Sequence, residues 1–241
     1  TLYKKDLIGD ETFKPGDSIK VYVESIGVTK GGKKDDLIKI SRSCNGFLKK
    51  LFFNEIHEIY DGTVEIVGIA RIPGVKAKVS VTTKDPNVDP SGACIGPNGS
   101  RIQAVVSQLG NKTKEKVDVI TFKENRGLYI QECLKPAQII GIKFDDEKEV
   151  ATVIVPDEVK NQAIGQRGVN AILTRMLLGL KEIKIIGISE AIEQNIEYKL
   201  FEEFEIEARE EQRRKTREES LRKANESIAK IVKEEEQAED F

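Results

Sequence analysis

Three observations predict an α+β fold for this chain of 241 residues. The tetrapeptides Gly96-Pro97-Asn98-Gly99 and Gly165-Gln166-Arg167-Gly168 stand 69 positions apart, each behind a small residue and an isoleucine (Cys94-Ile95, Ala163-Ile164). Around both, apolar spacings of helical and strand type follow in one order, α-β-β-α-α-β, as in a tandem duplication. Residues 189–241 contain neither glycine nor proline and carry an i, i+4 apolar stripe, the pattern of a long helix, or two.

Residues 1–43 are predicted to be β-rich. Ile19, Val21 and Val23 alternate with Lys20, Tyr22 and Glu24, as in a half-buried strand. Lys14-Pro15-Gly16-Asp17 is the turn before it, Lys30 to Asp36 a polar hairpin loop, and Leu37 to Ser41 the return strand. Two strands cannot bury a core alone, so this segment reads as the end of a larger domain and the chain as a piece of a longer protein.

Residues 44–124 form the first repeat. Phe47, Leu48, Leu51 and Phe52 give a helix over 45–55, and 63–70 and 77–83 read as strands around Pro73-Gly74. Asp89-Pro90 opens a short helix to Ile95. After the first Gly-x-x-Gly, Ile102, Val105, Val106 and Leu109 set the next helix, with Ser100 as its expected N-cap, and 117–122 is a strand.

Residues 125–188 repeat the order. Helix 128–134 precedes strands 138–144 and 149–155, which flank the acidic turn Asp145-Asp146-Glu147. Pro156 starts a helix to Ile164 at a position where proline costs least. Helix 169–178 follows the second Gly-x-x-Gly and stops at Gly179, and 183–188 is the last strand. The offset between copies shrinks from 74 at the first strand to 66 at the last, so loops differ while order is kept. Beyond 189, Ile192, Ile196, Leu200, Phe204 and Ala208 form the expected stripe of a charged helical tail.

Charge is unevenly divided. The tail holds 10 basic and 17 acidic residues, whereas 1–188 holds 29 basic and 24 acidic, so a net −2 chain has a body of +5. Such a body is compatible with phosphate contacts. No run approaches the roughly 18 apolar residues of a membrane span, and Lys4, Lys5 and Asp6 interrupt any signal-peptide core. Cys44, Cys94 and Cys133 have no C-x-x-C spacing and His57 is the single histidine, which argues against zinc and for reduced, buried thiols. His57 has no nucleophile motif beside it and reads as a helix-end residue. Gly27 to Lys33 fits Walker spacing up to its lysine, but Lys34 stands where a magnesium ligand is needed and the stretch lies between strands. Nucleotide binding is therefore not expected.

A Gly-x-x-Gly loop between helices lets a nucleic-acid backbone approach, because neither glycine carries a Cβ. The loop and the helix N-terminus behind it offer N–H groups to phosphates. Arg71, Lys76 and Lys78, near the Pro73-Gly74 turn, read equally as a solvated strand edge or as cations flanking RNA.

The order and the Ile-Gly-x-x-Gly loops resemble type II KH domains. Two of them directly after an S1-type OB-barrel remnant resemble the NusA family of bacterial transcription factors. The resemblance is carried by Ile40-Ser41-Arg42, Phe47-Leu48, Leu51-Phe52, Asp61-Gly62, Val64-Glu65-Ile66 and Ala70-Arg71. Its most specific parts are Asp89 to Gly96, Gly99 to Gln103, Lys135-Pro136-Ala137 and Ala163-Ile164-Gly165 with Gly168 and Asn170, over about residues 1–188. It implies RNA contacts at Ile95, Gly96, Pro97, Asn98, Gly99, Ser100 and Arg101, and at Ile164, Gly165, Gln166, Arg167, Gly168 and Asn170. Pro97-Asn98 departs from the family, where a basic residue is usual, and Pro97 has no N–H; Arg101 is then expected to supply the charge. In the second loop Arg167 is the expected cation, and Val169 replaces a usual polar residue. The family's polymerase-binding N-terminal domain and first half of the barrel are absent from the chain, and 189–241 has no counterpart.

The resemblance implies a cytoplasmic, non-enzymatic RNA-binding elongation factor. Its partners would be RNA polymerase and nascent single-stranded RNA, with other transcription factors or the ribosome as further candidates. It would need no cofactor, metal, membrane or small-molecule substrate, and would modulate pausing, termination and antitermination. Two other classes share these modules: a phosphorolytic exoribonuclease, in which KH precedes S1 and a catalytic core is attached, and a ribosome-associated KH protein.

Overall fold

The computed structural model describes residues 1–27, 38–110, 112 and 114–239, with side chains to residue 227. The expected hairpin loop at Lys30–Asp36 and the Walker-like stretch beyond Gly27 lie outside the described residues. What precedes the repeats is a two-stranded antiparallel sheet of β1 (Tyr22–Ile26) and β2 (Ile38–Ser41). Strand β1 starts later than the alternation from Ile19 predicted.

The first repeat runs α1 (Asn45–Glu55), α2 (His57–Tyr60), β3 (Val64–Ile72), β4 (Lys76–Thr83), α3 (Pro90–Ile95), α4 (Ser100–Val106) and β5 (Lys116–Thr121). The second runs α5 (Arg126–Leu134), β6 (Gly141–Asp145), β7 (Val150–Val155), α6 (Lys160–Ile164), α7 (Val169–Leu178) and β8 (Glu182–Gly187). In each sheet the first pair of strands is antiparallel and the last strand joins parallel to the middle one: β3-β4-β5 and β6-β7-β8. The parallel step needs a crossover, and the helix pair carrying each Gly-x-x-Gly supplies it. Apart from the short additional helix α2 in the first copy, the α-β-β-α-α-β order is thus present twice, as the spacing predicted.

Each unit has its own core. In the first, Phe47, Leu48, Leu51 and Phe52 of α1 cover Val64, Val79 and Val81 of the sheet, together with Ile102 and Val105 of α4. In the second, Ile130 and Leu134 of α5 cover Ile142, Ala151, Val153 and Val155. A third cluster joins the units: Ile120 and Phe122 from the first meet Tyr129, Cys133, Leu177 and Leu178 from the second. Helix α7 also lies against β3 and β4, so both faces of the first sheet are covered.

That packing corrects one expectation. In β4, Lys78 was read equally as part of a solvated strand edge or as a cation flanking RNA, yet it is fully buried, as is Ser80 on the same face. Lys78 Nζ donates to the Cys133 carbonyl at 2.6 Å and to Asp118 at 3.1 Å. An ammonium at the C-terminal end of α5 also meets the negative end of that helix's dipole. Burial pulls its pKa below the ordinary lysine value, with the Asp118 charge opposing. Lys78 fastens one domain to the other and is not available to RNA.

The tail is corrected as well. It is two helices with a break between them: α8 (Ile188–Glu193) stops where Asn195 takes a left-handed φ of 47° and the Ile196 N–H returns to the Ala191 carbonyl. This is a Schellman-type stop with asparagine in place of glycine. A two-residue strand, β9 (Lys199–Leu200), then pairs antiparallel with β6, and α9 (Phe201–Glu239) begins. The predicted continuous stripe is therefore broken: Ile192 is exposed and Leu200 is in the strand, while Phe204 is buried in the second core.

Candidate nucleic-acid interface

The two loops have nearly the same backbone. Gly96 and Gly165 have φ/ψ of 72°/172° and 75°/167°; Asn98 and Arg167 have 52°/25° and 54°/26°; Gly99 and Gly168 have 74°/13° and 71°/9°. Each loop is a single 3-10 turn closed by its second glycine's N–H on the first glycine's carbonyl, 3.0 Å in both. Three left-handed residues in four is a conformation that asparagine tolerates and arginine rarely adopts. Such an outlier is the kind of local strain that functional loops store.

The glycines divide their work. A Cβ on Gly96 would come within 2.6 Å of Arg101 Cγ, and one on Gly165 within 2.8 Å of Asn170 Cβ, so the first glycine is needed for packing. A Cβ on Gly99 or Gly168 would meet nothing nearer than 3.9 Å, so the second is needed for its φ and leaves an open outer face. The middle residues Pro97, Asn98, Gln166 and Arg167 are all exposed. Neither following helix has a side-chain N-cap, and Ser100 is the first helical residue of α4, not the cap. No capping side chain occupies the N-terminal end of α7, where an anion is favoured.

The expected cations are placed unequally. Arg167 stands exposed on the second loop. Arg101 is turned inward: its Nη1 donates to both Glu58 carboxylate oxygens at 2.8 Å and to the Ala93 carbonyl at 2.7 Å. Partial burial pushes the Glu58 carboxyl up, but the Arg101 hydrogen bond, a backbone bond and the Arg101 charge together hold it below the ordinary value. Arg101 thus clamps α4 to α2 and α3, and the first loop has no free cation of its own.

Arg71 is likewise structural. It is 5% exposed, with Nε and Nη2 on Glu115 at 2.7 and 3.0 Å and Nη1 on the Cys44 carbonyl at 2.7 Å. Asn170, expected to touch RNA, is buried, and its amide donates to the Ala163 carbonyl at 2.9 Å across the second loop. Its role is to tie α7 to α6. Asn170→Ala is expected to lower stability by about 1 kcal/mol, measured by urea unfolding, because the carbonyl loses its partner. The flanking isoleucines differ too: Ile95 is exposed, whereas Ile164 packs against the second core.

Lys76 is the one flanking residue placed at the site. A cavity of about 220 Å³ lies where the second loop meets the first domain, lined by Val75, Lys76, Lys116, Gly165, Gln166, Val169 and Asn170. Lys76 pairs with Asp118 at 2.6 Å, and Lys116 is exposed. The two lysines face each other in the parallel register of β4 and β5. Lys116 was not singled out from the sequence; the signal was available only once the two strands were known to pair.

Cys94, just before the first loop, and Cys133 both have thiols that burial pushes up to about 12. Neither is a thiolate nucleophile near neutral pH. Among the described residues no cluster of three potential metal ligands occurs, and no helix is long and apolar enough to cross a membrane.

Comparison with known proteins agrees with this geometry. Residues 42–122 match the NusA-like first KH domain and residues 127–193 the NusA-like second KH domain. The transcription termination/antitermination protein NusA of Bacillus subtilis is 41% identical over 194 residues, 80% of this chain and 50% of that protein. The proteins of the same name from Halalkalibacterium halodurans and Thermus thermophilus are 41% and 40% identical, over 76% and 81% of this chain and 46% and 50% of theirs. The chain spans about half the length of the curated relatives it matches. With two matched KH domains in tandem and relatives at this identity, the chain belongs to the NusA family.

Proposed function

We propose that this chain is the RNA-binding part of a cytoplasmic transcription elongation factor, which associates with RNA polymerase and nascent single-stranded RNA to modulate pausing, termination and antitermination. The observation that carries the RNA part is the pair of superimposable loops, each open at its second glycine, held in one body by the Ile120–Cys133–Leu177 cluster. A KH domain grips about four nucleotides, so two domains fixed to each other hold a strand with a raised effective concentration for the second contact. The transcription part follows from the relatives, whose names are those of termination/antitermination proteins. The action proposed is binding, not catalysis, with no cofactor or small-molecule substrate. The sheet of β1 and β2 is read as the end of an S1-type barrel, and other transcription factors or the ribosome as further partners.

Of the two loops, the second is the stronger contact in this reading. It has Arg167 on its crest and Lys76 and Lys116 beside it, whereas Pro97 offers no N–H and Arg101 is committed to Glu58. The experiment is a transcription assay with purified polymerase of the source organism and the full-length protein. Pause lifetime and read-through at an intrinsic terminator are expected to change on adding wild-type protein, and to change less with Gln166→Asp/Arg167→Asp. Full-length protein that neither co-purifies with polymerase nor alters either quantity would refute the transcription reading.

A further inference from the structure

Helix α9 leaves the body after its first turns. Phe204 is buried against Gly127 of α5, where a Cβ would lie 2.6 Å from the ring. Ala208, Glu211 and Lys215 still face the first domain, and Lys215 is ion-paired with Glu124. From Gln212 onward every side chain described is exposed.

The charges on this stretch are sorted. Residues 212–223 hold six basic and two acidic side chains, while 189–211 before them hold two basic and nine acidic. Along the helix, residues four apart stack into rows. One row reads Glu210, Arg214, Glu218, Arg222, Glu226, and its neighbour Glu211, Lys215, Glu219, Lys223. Both alternate in sign and neutralise themselves, with pairs such as Lys215–Glu211 at 3.1 Å and Lys223–Glu219 at 2.7 Å. The third charged row is Arg209, Arg213, Arg217, of one sign throughout. Arg209 reaches only Glu205, at 3.9 Å, and Arg213 and Arg217 have no ion pair among the described residues. Like charges at i, i+4 destabilise a helix, so this row opposes part of what the other two supply.

We propose that Arg209, Arg213 and Arg217 form a second RNA-binding strip, a phosphate ladder separate from the KH loops. Successive guanidiniums rise by about 6 Å per step, close to the repeat of a phosphodiester backbone. Phosphates between them relieve the repulsion that the helix alone leaves standing. An evenly spaced row of cations one residue wide, with no aromatic or apolar anchor among them, suits a repeating polyanion better than a protein surface, whose contacts centre on buried anchors. The inference stands on α9 alone and does not depend on the loops.

The test compares full-length wild type with Arg209→Gln/Arg213→Gln/Arg217→Gln on two unstructured RNAs, one of about eight nucleotides that two KH domains fill, the other several times longer. For the long RNA the triple variant is expected to bind about 10-fold more weakly, and the slope of log K against log salt to fall by about 2, since each lost phosphate contact removes roughly 0.7. Short-RNA binding should not change. Arg213→Glu separates binding from helix stability: it lets both remaining arginines pair, so helicity by circular dichroism should hold or rise while long-RNA affinity falls. Equal affinity and slope for wild type and triple variant on the long RNA overturns the proposal, as it would if the row serves an acidic protein. Loss of both RNAs with helicity intact overturns it too. If wild type ignores the short RNA but keeps an arginine-dependent slope on the long one, the loop reading fails and the ladder stands.

Discussion

Replacing Gln166 and Arg167 together by aspartate is expected to weaken binding of a short single-stranded RNA by on the order of 100-fold, because a like charge set against phosphate costs several kcal/mol. The substitution removes the exposed cation and places two carboxylates on the crest of the loop. Folding should survive it: Arg167 sits at φ 54°, and aspartate adopts the left-handed region more readily than arginine does. The equivalent change in the first loop, Pro97→Asp with Asn98→Asp, is expected to cost less, about 10-fold, since that loop has neither a cation nor a Pro97 N–H to lose. Fluorescence anisotropy with one labelled RNA ranks the two. Equal losses would show that the first loop grips as firmly as the second.

The largest loss of stability is expected at Glu115. Its carboxylate is fully buried, accepts from Arg71 Nε and Nη2, and accepts the Gly74 N–H at 2.9 Å. Arg71 in turn donates to the carbonyls of Arg42 and Cys44, so it links the turn before β4 to the start of α1. Removing one partner leaves a buried charge uncompensated, which costs about 3–5 kcal/mol. Glu115→Ala should therefore unfold at much lower urea, whereas Arg71→Met with Glu115→Leu, which removes both charges, should recover most of the loss. If the single substitution costs no more than the pair, Glu115 is not neutralising a buried cation. A parallel pair, Arg42 with Glu11 at 2.6 Å, holds the N-terminal segment to the same domain.

The fold was largely legible because its signals are local. Helix α7 lies where Ile172, Leu173 and Met176 and the stop at Gly179 put it, and both loops announce themselves by their glycines. What the sequence hid depends on neighbours far along the chain. Lys78 and Ser80 alternate like a solvated face, and only the second domain's α5 and α7 make that face interior. Arg71 and Arg101 look like free cations until Glu115 and Glu58, each more than forty residues away, are brought to them. Asn170 looks like an RNA contact from its place after the loop, yet its amide is used across the loop.

The break in the tail was missed for a different reason. An i, i+4 stripe from Ile192 to Ala208 has helical period, but Asn195 breaks it, and Tyr198 and Lys199 are drawn onto β6 where Gly141 leaves room. Asparagine as a helix stop was a readable signal. The glycine that accepts the strand was not, since its meaning lies in a contact.

Amide hydrogen exchange with and without single-stranded RNA tests the central claim most directly. Protection is expected at residues 96–101 and 165–170 and at the Lys76 and Lys116 ends of β4 and β5, greater at the second loop than at the first. RNA that binds while leaving both loops unprotected would contradict the claim that this tandem grips RNA through its Gly-x-x-Gly turns.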